Sequence, residues 1–261
     1  MRAARGFTLI ELVMVILLLG IMATFTSQFI GIGTQIYGDA SSREQLMSDA
    51  RFALERLNRE LRDAVPGSVR VEDNNGGLVE QGGCLRFWPI ATASRYLGPA
   101  ASTALRIITP AKLPAENDLA IVYPLPYTTF DSKIMLNNDC LQGRCTAKVT
   151  GVGAVVSGAL PLTLAASFAK DSPGQRIYFA NQQVLYCIRG GSLWQMAKPL
   201  SSSLSSNETT QLMAEHIRPA DYYFYRDPVA FSQSEVGLRL VLEQRGESVS
   251  FNHKLEILNV P

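Results

Sequence analysis

The chain has 261 residues, 47% of them hydrophobic and 18% charged, a balance that excludes a disordered polypeptide and suits one large domain with an anchor, or two small domains. The net charge is +1, and with Arg2 and Arg5 set aside 22 basic side chains stand against 23 acidic ones. A nucleic-acid-binding surface requires a clear basic excess, so nucleic acid is not expected as a partner.

The chain begins Met1-Arg2-Ala3-Ala4-Arg5-Gly6 and continues into an apolar run that starts at Phe7. No charged residue lies between Leu12 and Gly38. As a helix rising about 1.5 Å per residue, that stretch would extend roughly 40 Å, more than the ~30 Å hydrocarbon core of a bilayer. Thr24, Thr26, Ser27 and Gln28 suggest that the true span ends in the mid-twenties, so the expected membrane segment is 7–29. Arg2 and Arg5 precede it, which keeps the N-terminus cytoplasmic and places everything after about residue 30 outside the inner membrane. A cleaved secretory signal is the first alternative, but Thr24-Phe25-Thr26 is a poor cleavage site of that kind. Glu11 is the feature that demands a reason. A carboxylate inside an apolar helix costs about 2.5–3.5 kcal/mol at the bilayer centre and less near the edge.

Gly6, Phe7, Thr8, Leu9, Ile10, Glu11 and Leu12, with the basic leader before them and the apolar run after, resemble the start of type IV pilins and pseudopilins. The resemblance implies that a prepilin peptidase cuts between Gly6 and Phe7, removes residues 1–6 and methylates the new amine of Phe7. It implies that Glu11 serves assembly. Phe7 and Glu11 are four apart and share a helix face, so in a staggered stack the amine of one chain can meet Glu11 of another. Pairing in cis with its own amine is the other arrangement open to it. An unpaired charge left inside such a bundle costs about 3–5 kcal/mol. The remaining implied partners are other major and minor pilins, the inner-membrane assembly platform and membrane lipid. An ordinary single-span anchor with a stray acid is the competing reading.

From Ala40 to Val65 the apolar residues Leu46, Ala50, Ala53, Leu54, Leu57, Leu61 and Val65 recur at three- and four-residue steps, the mark of an amphipathic helix. Glu55–Arg59 and Arg59–Asp63 are possible four-apart pairs on the opposite face. Pro66-Gly67 stops the helix. One long helix from about Phe7 to Ala64 is expected, with weak points at Gly20, Gly31, Gly33 and Gly38. Segment 30–65 would be its amphipathic continuation.

Residues 66–261 read as a β-rich globular head. Candidate strands are Ser68–Val71, Cys84–Ile90, Leu105–Thr109, Leu119–Tyr123, Arg176–Ala180, Val184–Ile188, Leu193–Met196, Val236–Leu242 and Val249–Ile257. Gly190-Gly191 reads as a tight hairpin turn. Gly76-Gly77, Gly82-Gly83, Asn137-Asn138 and Ser201–Asn207 read as loops. Gly151–Lys170 is ambiguous between strand and helix. The fold class is α+β, with a long N-terminal helix, transmembrane and then amphipathic, packed on an antiparallel sheet in one head domain, two sub-sheets being the variant of that plan.

Cys84, Cys140, Cys145 and Cys187 all follow the apolar segment. In a translocated domain four cysteines read as two disulfides; in a cytosolic protein they would be reduced thiols. Cys140 and Cys145 enclose only four residues, one of them Gly143, which favours Cys140–Cys145 with Cys84–Cys187 among three possible pairings. Half of a metal site is the alternative for Cys140 and Cys145, with His216 and His253 as the candidates to complete it.

No catalytic constellation stands out, so a non-enzymatic protein without cofactor or metal is expected. Gly151-Val152-Gly153 lacks the context of a dinucleotide motif, and Asn207-Glu208-Thr209 means little as a glycosylation signal in the bacterium that the pilin resemblance implies. Tyr222-Tyr223-Phe224-Tyr225, with Arg218 and Arg226, is either a strand with alternate residues in the core or a partner patch.

The large head resembles that of large minor pilins of the PilW and MshO kind, and the MshO likeness implies a minor pilin of the mannose-sensitive haemagglutinin (MSHA) pilus system. Ser172-Pro173-Gly174, Arg176–Phe179, Tyr186-Cys187, Leu193-Trp194 and the helix segment Arg51–Arg62 carry that likeness. The J-type minor pseudopilin of type II secretion shares the plan and is the alternative; the K type lacks the glutamate. A membrane-tethered binding or enzymatic domain that borrows a pilin-type export signal is the hypothesis from a different class.

Overall fold

In the computed structural model, residues 8–125, 139–140, 143–205, 208, 211–226 and 235–256 are described. Gly6, Phe7 and the Asn137-Asn138 loop lie outside them.

Helix α1 (Leu9–Arg62) is continuous through Gly20, Gly31, Gly33 and Gly38 and is roughly 80 Å long. It breaks into two regimes by contact. Every residue from Leu9 to Tyr37 is exposed, and burial begins at Ser42. Leu46, Ala50, Ala53, Leu57 and Leu61 then turn one stripe into the head, each at most 1% exposed. The three- and four-residue spacing puts them on one face, and Leu54 packs at its margin. Arg56 and Glu60 form a four-apart ion pair on this half, at 3.0 Å.

The stripe covers two sheets. The first is five-stranded, in the order β1 (Arg70–Glu72), β3 (Cys84–Phe87), β12 (Gln182–Arg189), β13 (Ser192–Pro199) and β14 (Gln211–Ala214). The second runs β17 (Glu247–Glu256), β16 (Glu235–Gln244), β15 (Phe224–Tyr225) and β2 (Gln81–Gly82). Side chains of both sheets meet α1 in one core: Leu85, Phe87 and Tyr186 from the first, Phe224, Leu238 and Leu240 from the second. Gly190 and Gly191, at φ +58° and +75°, make the two-residue turn between β12 and β13. Both central residues of such a turn need positive φ, which glycine adopts without strain.

The third unit is a closed barrel, which departs from the expected open antiparallel sheet or pair of sub-sheets. Strands β4 (Thr92–Leu97), β5 (Ala104–Ile108), β6 (Leu119–Ile121), β9 (Thr146–Val152), β10 (Ala159–Leu164) and β11 (Arg176–Ala180) close into a six-stranded antiparallel barrel. It has its own core, built on Tyr96, Leu105, Ile107, Leu160, Ile177 and Phe179. The physical reason is alternation within short strands: β5 buries Leu105 and Ile107 and exposes Ala104, Arg106 and Ile108, which gives it one inward face. The ambiguous Gly151–Lys170 stretch supplies the end of β9 and all of β10. A two-stranded ribbon of β7 (Asp139–Cys140) and β8 (Gly143–Arg144) precedes β9.

All six barrel strands fall in sequence between β3 and β12, which pair directly with each other. The barrel is therefore an insertion into the five-stranded sheet. A small apolar patch of Val65, Trp88, Ile121, Tyr178 and Ala180 seats it at the end of α1.

Candidate functional site

Thr8 caps α1. Its φ/ψ of −79°/149° is extended, its carbonyl accepts from the Glu11 N–H at 3.1 Å and the Leu12 N–H at 3.2 Å, and its hydroxyl accepts from the Glu11 N–H at 3.4 Å. This is the N-cap arrangement that satisfies otherwise orphaned amides. Glu11 follows in the first turn, where the helix dipole favours a negative charge.

What surrounds Glu11 is apolar and open. Leu9, Ile10, Leu12, Met14 and Val15 are 46–82% exposed. The next basic residue along the chain is Arg43, about 48 Å away along the helix axis. A cation able to meet the Glu11 carboxylate at close range must come from residues 1–7 or from another molecule.

Thr24 and Thr26 sit in this segment without needing water. Thr24 Oγ1 donates to the Ile21 carbonyl at 2.7 Å, and Thr26 Oγ1 donates to the Met22 carbonyl at 2.7 Å. Thr34 and Ser42 do the same toward Gly31 and Gly38, each at 2.9 Å. Back-bonding of this kind hides a hydroxyl inside the helix, so these residues do not by themselves end the apolar segment. Composition could not reveal this, because it depends on where each hydroxyl points. By length and composition α1 is able to cross a membrane, and no part of its apolar window is buried by the head.

The cysteines lie far from this end. Cys84 and Cys187 are joined by a disulfide between paired positions of β3 and β12, and Cys140 is joined to Cys145. Both thiols of the possible half metal site are thereby consumed. Among the described residues no three His, Cys, Asp or Glu side chains gather in a way that could hold a metal ion. His253 is a residue of β17, paired with Leu238, and His216 lies outside the strands.

The tyrosine run divides its roles. Phe224 is fully buried, whereas Tyr222 meets Tyr225 edge to face at 5.9 Å and, with Tyr223, lines an open groove of about 460 Å³ that also borders Arg218 and Arg239. Arg226 does not join them. Its guanidinium turns inward and donates to the Val69 carbonyl, and burial pushes its pKa down to about 10.

Comparison with known proteins bears on the N-terminus. Residues 1–27 match the prokaryotic N-terminal methylation motif. No curated protein and no solved structure matches the chain. The motif, the capped helix and the long exposed apolar surface are those of a pilin-like membrane protein, and among the described residues one helix is long and apolar enough to cross a membrane. The N-terminal segment is consistent with the type IV pilin and pseudopilin family as a whole, and the inserted barrel is not typical of a classic pilin head.

Proposed function

We propose that this chain is a minor pilin-like subunit of a type IV pilus of the MSHA type. A prepilin peptidase cuts between Gly6 and Phe7 and methylates the Phe7 amine. The subunit waits in the inner membrane as a single-pass protein with its head in the periplasm, and then enters or primes the filament with other pilins.

The observation that supports this reading most is the isolation of Glu11. It stands in an apolar, exposed helix turn, within a matched methylation motif, and the first cation that follows it is about 48 Å away. Release of residues 1–6 creates a cationic amine one residue ahead of the Thr8 cap. A neighbouring subunit displaced along the helix brings such an amine to Glu11. In an apolar bundle the attraction is poorly screened, and a mismatched register leaves the charge unpaired at a cost of about 3–5 kcal/mol. Glu11 thus sets register, and the exposed residues Leu9–Tyr37 supply the packing surface. The large head, with its inserted barrel, suits a subunit present in few copies.

The test is assembly of a Glu11→Ala subunit in a cell that makes the filament. Membrane insertion should be retained, because loss of a charge favours the apolar phase, while incorporation into sheared filaments should fall by about tenfold or more. Normal incorporation would overturn the role given to Glu11. The J-type pseudopilin alternative predicts the same processing but loss of protein secretion, rather than of pili, when the gene is deleted.

A further inference from the structure

The face of the five-stranded sheet turned away from α1 carries a charge imbalance. Glu72 is fully buried and Arg86 is 6% exposed. Arg86 grips the Glu72 carboxylate with two hydrogen bonds, Nε to Oε1 at 2.7 Å and Nη2 to Oε2 at 3.0 Å. Its remaining contacts are Nη1 to Gln183 Oε1 at 2.7 Å and Nη2 to the Leu204 carbonyl at 2.8 Å. That pair is neutral and held by these bonds.

Arg70 is the surplus. Its Nε lies 2.5 Å from Glu72 Oε1, yet this buried Nε has no hydrogen-bond acceptor in suitable geometry. The contact is a close ion pair in which the N–H is poorly aligned on the carboxylate. One carboxylate already committed to Arg86 is shared between two guanidinium groups, leaving about one uncompensated positive charge in a poorly hydrated place. Burial lowers the Arg70 pKa; Glu72 opposes the shift and the Arg86 cation adds to it. A buried charge without a full partner is costly, which makes the site hungry for an anion.

There is room for one. A recess of about 260 Å³ opens beside Arg70 and Arg86 and is walled by Ser68, Trp88, Gln183 and Ser202. Its described lining contains two guanidinium groups and no carboxylate. The segment after β13 roofs it, fixed by Gln183 Nε2 donating to the Ser202 carbonyl at 2.6 Å. Trp88 belongs to the patch that seats the barrel, so the recess lies at the junction of sheet and barrel.

We infer that this recess binds a small oxyanion, a phosphate or carboxylate group held by the free edge of the Arg70 guanidinium with Arg86 behind it. Arginine suits this role because its planar fork matches a two-oxygen face. The bound anion neutralises the surplus charge and ties β1 to the roof, so occupancy stiffens the neck between sheet and barrel.

The experiment uses the full chain in detergent. Thermal unfolding is followed against inorganic phosphate, acetate and chloride at equal ionic strength. Phosphate or acetate should raise the midpoint saturably above the chloride value, and the anion that acts names the group. Arg70→Met leaves the Glu72–Arg86 pair intact and should weaken half-saturation by about tenfold or more. Should that variant unfold, Arg70→Lys keeps the charge, loses the fork and should weaken it by about threefold or more. An equal response to all three salts, or an anion response unchanged in the folded Arg70 variant, overturns the inference.

Discussion

Cys84 and Cys187 face each other on β3 and β12, their Cα atoms 4.1 Å apart and 103 positions apart in sequence. The chain leaves the sheet just after one and returns just before the other, and everything between them includes the whole barrel. The bond is thus a clasp on the neck of the insertion. Removing it with Cys84→Ala and Cys187→Ala together should lower unfolding free energy by about 2–5 kcal/mol, because a long loop regains its freedom in the unfolded chain. Denaturant titration of the oxidised wild type against the double variant measures this. Equal midpoints would show that the clasp carries no stability.

Tyr186 ties the same strand to α1. Its hydroxyl donates to Glu60 Oε2 at 2.8 Å, and Glu60 in turn pairs with Arg56. Burial, reinforced by the Glu60 charge, raises the Tyr186 pKa well above the ordinary phenol value. Tyr186→Phe keeps the ring stacked on Phe87 at 6.2 Å and deletes only the bond, so a loss of about 1–3 kcal/mol is expected. Substituting Leu57, which is fully buried in the stripe, by Ala should cost more, about 2–5 kcal/mol, because it leaves a cavity.

Tyr96 gives the barrel an alkaline limit. Its hydroxyl donates to Asp171 Oδ1 at 3.1 Å and accepts from the Ser172 N–H at 2.7 Å. Burial is the main cause that pushes its pKa up to about 12, against about 10 for a free tyrosine. A raised folded-state pKa means that the neutral form contributes its full stability below pH 10 and loses it as pH rises toward 12. Stability measured across that window should decline in the wild type and decline less in Tyr96→Phe. An identical decline would place the alkaline sensitivity elsewhere.

Gly237 lies under the Tyr225 ring, where an added Cβ would overlap the ring atoms. Gly237→Ala must displace Tyr225 from its bond to Asn252, a 3.3 Å contact. A loss of about 1–3 kcal/mol is expected for such overpacking, together with a change in the near-ultraviolet signal of the Tyr222–Tyr225 pair.

The helix and most sheet strands were legible in the sequence for one reason: their burial repeats at the period of their own geometry. Leu46, Ala50, Ala53, Leu57 and Leu61 mark a helix face at three and four, and Leu238, Leu240 and Leu242 mark a strand face at two. The barrel was not legible because its pairings are non-local. β4 finds β11 some 80 residues later, β10 carries Pro161 and β9 carries Gly151, residues that read as breaks. That β3 and β12 are neighbours is likewise invisible until both are placed. At the N-terminus the motif residues could be read directly, since Glu11 violates the composition around it. The Arg70–Glu72–Arg86 cluster could not. Three charges on two strands signal nothing until the register Arg70↔Arg86 and Glu72↔Cys84 brings them together.

The central claim is that the chain matures between Gly6 and Phe7. Intact-mass measurement of the protein from cells with and without prepilin peptidase tests it most directly. The account predicts loss of residues 1–6 and gain of one methyl group on Phe7 only when the peptidase is present. A mature protein that still carries its first six residues in peptidase-competent cells would contradict it.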